Sequence, residues 1–288
     1  MRAVGFGDQW NTEEMKELLL DVITEGNERA CTSYIGETLI ATFSKEFAPN
    51  IGITVCGIFD KNDKFEYEYY FPFLRGNNIT TQEDVSIERH AATESYAGVC
   101  EDLRVGVSMI FYLQNMIPYI KAKNSKSLPV SGTTLTLSAL SLSGTIMMPI
   151  KKTDKDLIRN QETLRDRSQL LNAARNGDER AIENLTMDEI DTYSVVAKRL
   201  HKDDVFTLVD TYFMPYGVEC DQYSVMGEIL EFSFVKNSLT NEEICVMMLS
   251  CNDIQFDVCI NKADLYGEPA VGRRFKGTVW MQGYINFP

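Results

Sequence analysis

From Asp204 to Phe287 the chain reads as one short strand after another. Val205 to Phe213, Tyr223 to Val235, Ile244 to Cys251, Ile254 to Ile260 and Arg273 to Phe287 are rich in β-branched, aromatic and other apolar residues. Pro215 and Gly217 separate the first run from the second, and Asn252-Asp253 suits a tight hairpin turn. Gly227 marks a bend or bulge in the long second strand. Five strands with one long, bent member predict a small all-β module over residues 204–288, an OB-like barrel. An open sandwich would give nearly the same pattern. The segment Gly267-Glu268-Pro269 through Trp280 leads into the closing strand and carries Arg273, Arg274 and Lys276.

The N-terminal half mixes the two periods. Asn11 to Ile23 has Met15, Leu18, Leu19, Val22 and Ile23 at 3/4 spacing, with Asn11 and Glu14 placed as a capping box and Gly26 as a stop. Leu39 to Phe43, Ile51 to Phe59 and Phe65 to Phe73 follow as strands, the last two joined by the polar turn Asp60 to Lys64. Regular alternation puts Phe65, Tyr67, Tyr69 and Phe71 on one face. Val85 to His90 and Arg104 to Leu113 are further strands, and Asn115 is placed to cap a short helix through Lys121. Thr133 to Leu142 alternates hydroxyl residues with leucine, and Ile146 to Ile150 adds a short strand. Residues 1–152 therefore predict an α+β domain on a mixed or antiparallel sheet with covering helices. Lys151 to Asp203 reads as helical, with Leu157, Leu164 and Leu171 on one narrow stripe, and predicts a connector over 153–203.

Charge and cysteine usage exclude several classes. The formal net charge is −14, and residues 205–288 carry five basic and eleven acidic side chains. An acidic field repels phosphate backbones, which argues against nucleic acid as a partner. Seven cysteines, an odd number with no C-x-x-C pair, mostly sit in apolar strand patterns. That usage predicts free thiols in a reducing, cytoplasmic compartment rather than a disulfide framework. The longest apolar run, Val105 to Leu113, is too short to span a bilayer, so no membrane association is expected. Cys220, Cys245, Cys251 and Cys259 lack the spacing of a zinc site, and no metal or cofactor is predicted. Gly5-Phe6-Gly7 lacks the third glycine and the βαβ setting of a phosphate loop.

Several blocks together resemble a known family. They are Glu88-Arg89-His90-Ala91, Ser95 to Cys100, Ile110 to Asn115, Tyr212 to Asp221, and Gly267-Glu268-Pro269 with Gly272 to Gly277. They resemble an uncharacterised bacterial cytosolic family known only as a domain of unknown function, along essentially the whole chain. The resemblance implies a free-standing cytosolic protein of this length and brings no activity, so no catalytic role is carried over.

Two constellations carry chemistry. Glu88 and His90 would share a strand face, with Cys100 and Asp102 close behind in sequence. An acid–base or Cys/His pair could operate there, as in a hydrolase or transferase. No nucleophile elbow or oxyanion glycine run accompanies them. His201, the other histidine, lies at a predicted helix C-terminus, where the macrodipole favours a cation. The second constellation is Arg273, Arg274, Lys276 and Trp280 on the closing strand. Arg274, Lys276 and Trp280 should share one face, and cations beside an aromatic suit a ligand or an acidic partner. Ion pairing with Glu268 or Glu228 is the bland alternative. The balance points to a non-catalytic binding or adaptor protein, with an unknown protein or small-molecule partner at the barrel or the domain seam. An enzyme around Glu88 and His90 is the second reading, and single-strand nucleic-acid binding by the barrel the third.

Overall fold

The computed structural model of the chain describes residues 1–7, 10–33, 38–89, 95–102, 104, 105, 107–128, 130, 132–150, 170, 173, 178, 180, 181 and 209–288. Residues Met1–Met147 and Phe213–Pro288 form one compact unit, and Met148–Tyr212 a second. The connector expected over 153–203 falls almost wholly outside the described residues, as does His201.

Helix α1 (Thr12–Glu25) begins where the sequence predicts. The Asn11 side chain accepts from the amides of Glu13 and Glu14 at 2.9 and 3.0 Å, and Glu14 accepts from the Asn11 amide at 2.9 Å. The helix buries Leu18, Leu19 and Val22. It covers an antiparallel sheet of β1 (Glu28–Ser33), β2 (Leu39–Ala48), β3 (Ile51–Phe59) and β4 (Phe65–Leu74), in that order. In the β3–β4 turn, the Asp60 carboxylate accepts from the amides of Asn62 and Lys64, both at 2.8 Å.

The aromatic row of β4 does not share one face. The β3–β4 register slips between Cys56 and Gly57, where Glu68 is left without a partner. This bulge reverses the alternation. Phe65 and Tyr70 pack on the helix side, whereas Tyr69, Phe71 and Phe73 pack toward the other core, and Tyr67 is exposed.

Next come β5 (Val85–Arg89), β6 (Tyr96–Glu101), β7 (Ser108–Leu113) and α2 (Met116–Asn124). Asn115 does not cap α2 through its side chain. Instead its amide grips the Ile285 backbone, donating to the carbonyl at 2.7 Å and accepting from the N–H at 3.0 Å.

The remaining strands are β8 (Thr134–Met147), β9 (Tyr212–Pro215), β10 (Gln222–Lys236), β11 (Glu243–Cys251), β12 (Ile254–Asn261), β13 (Leu265–Tyr266) and β14 (Arg274–Asn286). Five of them close into a mixed barrel in the order β8-β12-β11-β10-β14 and back to β8. The β8–β12 pair is parallel and the other four are antiparallel. Met247, Leu249, Val258, Ile260, Phe275 and Met281 are buried within its core.

The barrel expected from residues 204–288 alone is therefore corrected. Its fifth strand is β8, from the N-terminal half, which runs beside β14 from Thr134 to Met147. The expected strand from Val205 to Phe213 appears only as the short β9 among the described residues. β10 pairs with β14 only from Arg274 to Trp280, whereas β8 matches the other edge of β14 over its whole length, Arg274 to Asn286. β8 also runs through the break expected after Leu142. Leu142 is bulged out of the β14 pairing and exposed, and Ser141 Oγ stitches the bulge by donating to the Thr278 and Ser143 carbonyls. Strands β5, β6 and β7 extend the sheet, β7 joining β14 in parallel at Gln282 and Gly283.

Candidate functional site

The closing-strand residues lie where a strand reading puts them, but their surroundings differ. Along β14, Phe275, Val279, Met281 and Ile285 are buried in the core, so Arg274, Lys276 and Trp280 stand on the outer wall. Arg274 is only 5% exposed, with Nη1 3.8 Å from Met226 Sδ. Arg273 Nη1 donates to the Glu268 carbonyl at 2.6 Å, within its own loop. Trp280 is half-buried: its Nε1 donates to Asp221 at 2.6 Å, and its ring lies 5.2 Å from that of Tyr112. Lys276 lines a concavity of about 370 Å³ with Ser143, Thr145, Ser224, Tyr266 and Thr278. The four residues therefore do not make one open surface.

The other constellation is separated by its strands. Glu88 lies opposite Ala97 and points to solvent, whereas Cys100 lies opposite Val85 and is fully buried. Alternation puts the two on opposite faces of the β5–β6 pair. Burial pushes the Cys100 thiol up to about 12, the wrong direction for a nucleophile. Glu88 and Cys100 are thus kept apart; His90, the member that either expected pair shares, lies outside the described residues.

Five of the seven cysteines are buried and two, Cys31 and Cys220, are exposed. Burial likewise raises Cys56 and Cys245 to about 12. Under native conditions a disulfide thiol reagent should label Cys31 and Cys220 rapidly, and the other five only on unfolding. Mass mapping of a fast-labelled third site would contradict this.

Two buried carboxylates have opposite pH signatures. Burial raises the Asp257 carboxyl above its ordinary value, outweighing a 2.8 Å bond from the Asn77 amide. At Asp102 burial acts upward too, but bonds from the Arg104 guanidinium and amide win and hold it below the ordinary value. Arg104 also donates to the carbonyls of Thr80 and Asp253, both at 3.1 Å. For Asp257 the folded state holds a proton to higher pH than the unfolded state does. Its contribution therefore declines as pH rises from the ordinary aspartate range through the raised value. The Asp102 contribution is present above the unfolded value and is lost as pH falls through the depressed one. Asp257→Asn should raise the melting temperature at neutral pH, and Asp102→Asn should lower it, with both differences shrinking toward acid. Thermal melts across that range check both signs.

A further concavity among the described residues was not legible in the sequence. It is a groove of about 1110 Å³ lined by Arg2, Trp10, Lys236, Glu242, Glu243 and Lys262, with neighbouring polar residues. Three distant segments build it: the N-terminus, the β10–β11 turn and the turn after β12. Asn237, fully buried, holds the β10–β11 turn by accepting from the amides of Leu239 and Thr240 at 2.9 and 3.1 Å. It also donates to the Val4 carbonyl at 2.9 Å, and Thr240 Oγ1 donates to the Gly5 carbonyl at 2.6 Å. The glycine pair Gly5 and Gly7 serves this approach. A Cβ on Gly5 would stand 2.9 Å from Asn237 Cβ, and one on Gly7 2.8 Å from a Glu242 oxygen.

The groove walls are mostly pre-paired. Arg2 binds Asp264 through two bonds of 2.6 and 2.7 Å, and Lys262 pairs with Glu243 at 2.6 Å. That pairing lowers the Glu243 carboxyl and raises the Lys262 ammonium. Glu242 accepts from the Gly7 amide and from Asn261. Lys236 is exposed and has no carboxylate of the described residues within ion-pair distance, although it faces Glu243 across the ladder. The lining therefore offers a cation and the Trp10 ring among polar groups that are already paired. Among the described residues no group of three or more histidine, cysteine or acidic side chains is placed to hold a metal ion. No helix of the described residues is long and apolar enough to cross a membrane.

Residues 1–283 match the family described as "Domain of unknown function, E. rectale Gene description (DUF3881)". The chain belongs to the DUF3881 family. No curated protein matches this DUF3881 chain, and no solved structure does.

Proposed function

We propose that this DUF3881 protein is a non-catalytic binding or adaptor protein of the reducing cytoplasm, and that it receives its partner in the groove at the barrel rim. The observation that carries this reading is the state of the groove's charges. Arg2, Lys262, Glu242 and Glu243 are engaged with protein groups, while Lys236, which lines the same groove as Trp10, has no carboxylate of the described residues within ion-pair distance. A wall whose carboxylates are already hydrogen-bonded is a rigid, pre-organised surface rather than an acid–base pair. The free cation and the indole suit a partner presenting a carboxylate beside an apolar group. The Lys276 concavity is the smaller competitor.

The test uses immobilised native protein and its Lys236→Glu and Lys276→Glu variants. One reproducible partner, retained by Lys276→Glu and weakened at least roughly tenfold by Lys236→Glu, is expected for a charge-assisted contact. Loss on Lys276→Glu alone would move the site to the outer wall of β14. Arg274 and Trp280 are unsuitable probes, since their burial and bonding confound binding with folding.

A further inference from the structure

β10 has two halves with different surroundings. From Gln222 to Glu228 it pairs with β14. Ile229 ends that ladder, donating to the Arg273 carbonyl at 2.8 Å and accepting from the Gly272 amide at 2.9 Å. The register with β11 then slips at Leu230. β9 also pairs with β10, joined to its start by the Tyr216 amide, which donates to the Gln222 carbonyl at 2.9 Å; from Glu231 to Lys236, β10 pairs with β11 on one side, and no ladder of the described residues is recorded on the other. Beyond it the Ser238 amide is taken by the Phe47 carbonyl at 2.6 Å, which bounds the open edge.

The direction of the backbone groups follows from these bonds. Ile229 faces β14, so Glu228 faces β11, as does its partner Ser250. Alternation along β11 then has Met248, Val246 and Ile244 facing β10, opposite Glu231, Ser233 and Val235. The N–H and C=O groups of Phe232, Phe234 and Lys236 therefore point out of the open edge. The Asn237 amide bonding to the Glu242 carbonyl obeys the same parity. Phe232 and Phe234 are 38% and 43% exposed, with their rings 6.1 Å apart and nearly perpendicular. Unprotected edges usually carry a proline, a mid-strand charge or a cover. Here the segment's own charges, Glu231 and Lys236, stand at its two ends, and the Lys262 ammonium lies 5.0 Å from the centre of the Phe234 ring.

We propose that this edge pairs antiparallel with the same segment of a second copy of the chain, about a two-fold axis through Ser233. A two-fold contact requires a self-complementary sequence. Centred on Ser233, the pairing sets Phe232 opposite Phe234 of the other copy, twice, and joins four rings on one face. On the other face Ser233 meets its own copy and Glu231 meets Val235. Lys236 falls opposite Leu230, so no like charges oppose one another. Sliding by two residues in one direction puts Phe232 against Lys236, and in the other puts Leu230 against Phe234; each leaves a single Phe–Phe pair. Cross-strand aromatic pairs favour the first register. A seven-residue edge buries less than a permanent interface does, so the dimer is weak and concentration-dependent. This inference rests on the edge alone and not on the groove.

Ser233 is then a non-hydrogen-bonded pair across the axis, with Cα atoms about 4.5 Å apart, within disulfide reach. The test is mild oxidation of the full chain carrying S233C with C31S and C220S, against S127C in the same background. S233C is expected to form covalent dimer at least roughly tenfold faster than S127C, and Phe234→Glu to abolish that advantage while circular dichroism stays native. Sedimentation should show a monomer–dimer equilibrium that Phe234→Glu shifts fully to monomer. Equal cross-linking at the two positions, or a dimer that survives Phe234→Glu, would overturn the proposal. If Phe234→Glu unfolds the chain, S233C with Phe232→Ser replaces it, with the same readings.

Discussion

Replacing Phe111 by alanine is expected to remove about 3–5 kcal/mol of stability, the range for a large buried ring. Phe111, on β7, is fully buried and faces Gly98 on β6. On the far side it meets Gly283 of β14. A Cβ on Gly98 would lie 2.1 Å from the ring, and one on Gly283 2.3 Å. The ring thus occupies the space that two side chains would need, at the place where β7 joins the barrel. The void left by alanine cannot collapse easily, because ladder bonds hold β6 and β14. The glycines give the converse experiment. Gly98→Ala alone should cost about 1–3 kcal/mol by overpacking. Combined with Phe111→Leu it should cost less than the sum of the two single changes. Urea midpoints with an unchanged slope measure all three; strict additivity would mean the ring and the glycine are not coupled.

Gln282→Leu is the second large effect, expected at about 2–4 kcal/mol from stranding buried polar groups. Gln282 is fully buried on the outer wall of the barrel, where the four-stranded sheet crosses it. Its Nε2 donates to the Pro72 carbonyl at 2.8 Å, and its Oε1 accepts from Gln114 at 2.8 Å and from the Leu74 amide at 3.4 Å. Gln114 in turn donates to the Leu74 carbonyl at 2.8 Å, which Ser138 also reaches. Leucine leaves the Pro72 carbonyl and the Leu74 amide without this partner. Gln282→Glu separates loss of shape from loss of hydrogen bonding. A carboxylate cannot donate to Pro72 and resists burial as an anion, so its deficit should grow as pH rises and shrink as the group protonates. A deficit independent of pH would show that the site admits water.

How much of this was legible depended on range. The Asn11–Glu14 capping box, the Asp60 turn and the Asn252-Asp253 hairpin involve neighbours in sequence, and all three form as read. Asn252 and Asp253 both take positive φ, 48° and 63°, as a tight hairpin demands. Alternation misled wherever one unpartnered residue entered a ladder. Glu68 divided the aromatic row of β4, and Leu142 let β8 continue where a break was expected. Neither residue differs in kind from its neighbours, because a bulge is set by two strands together. Asn115, well placed for a cap, found a better use in the Ile285 backbone.

The candidate site was less legible still. The closing-strand cations and Trp280 were found by residue type, but type does not say what covers a face. Arg274 is buried and Trp280 is held by Asp221. The groove instead joins Arg2 and Trp10 to Lys236 and Lys262, more than two hundred positions away. Its only trace in the chain was the pair Gly5 and Gly7, whose purpose becomes visible once Asn237 and Glu242 stand against them.

By itself the sequence determined the elements: a capped first helix, a succession of strands with their turns, and an apolar supply large enough for a core. It also determined the chemistry on hand, with seven cysteines lacking any C-x-x-C pair and a net charge of −14. Tertiary structure alone decided that β8 closes the barrel, that β10 keeps an edge unpaired among the described residues, and that the N-terminus and the turns after β10 and β12 build one groove. The physical reason is that local preferences act through adjacent residues. Strand partnership is a competition among all edges at once, settled by matching length, register and buried area across the whole chain.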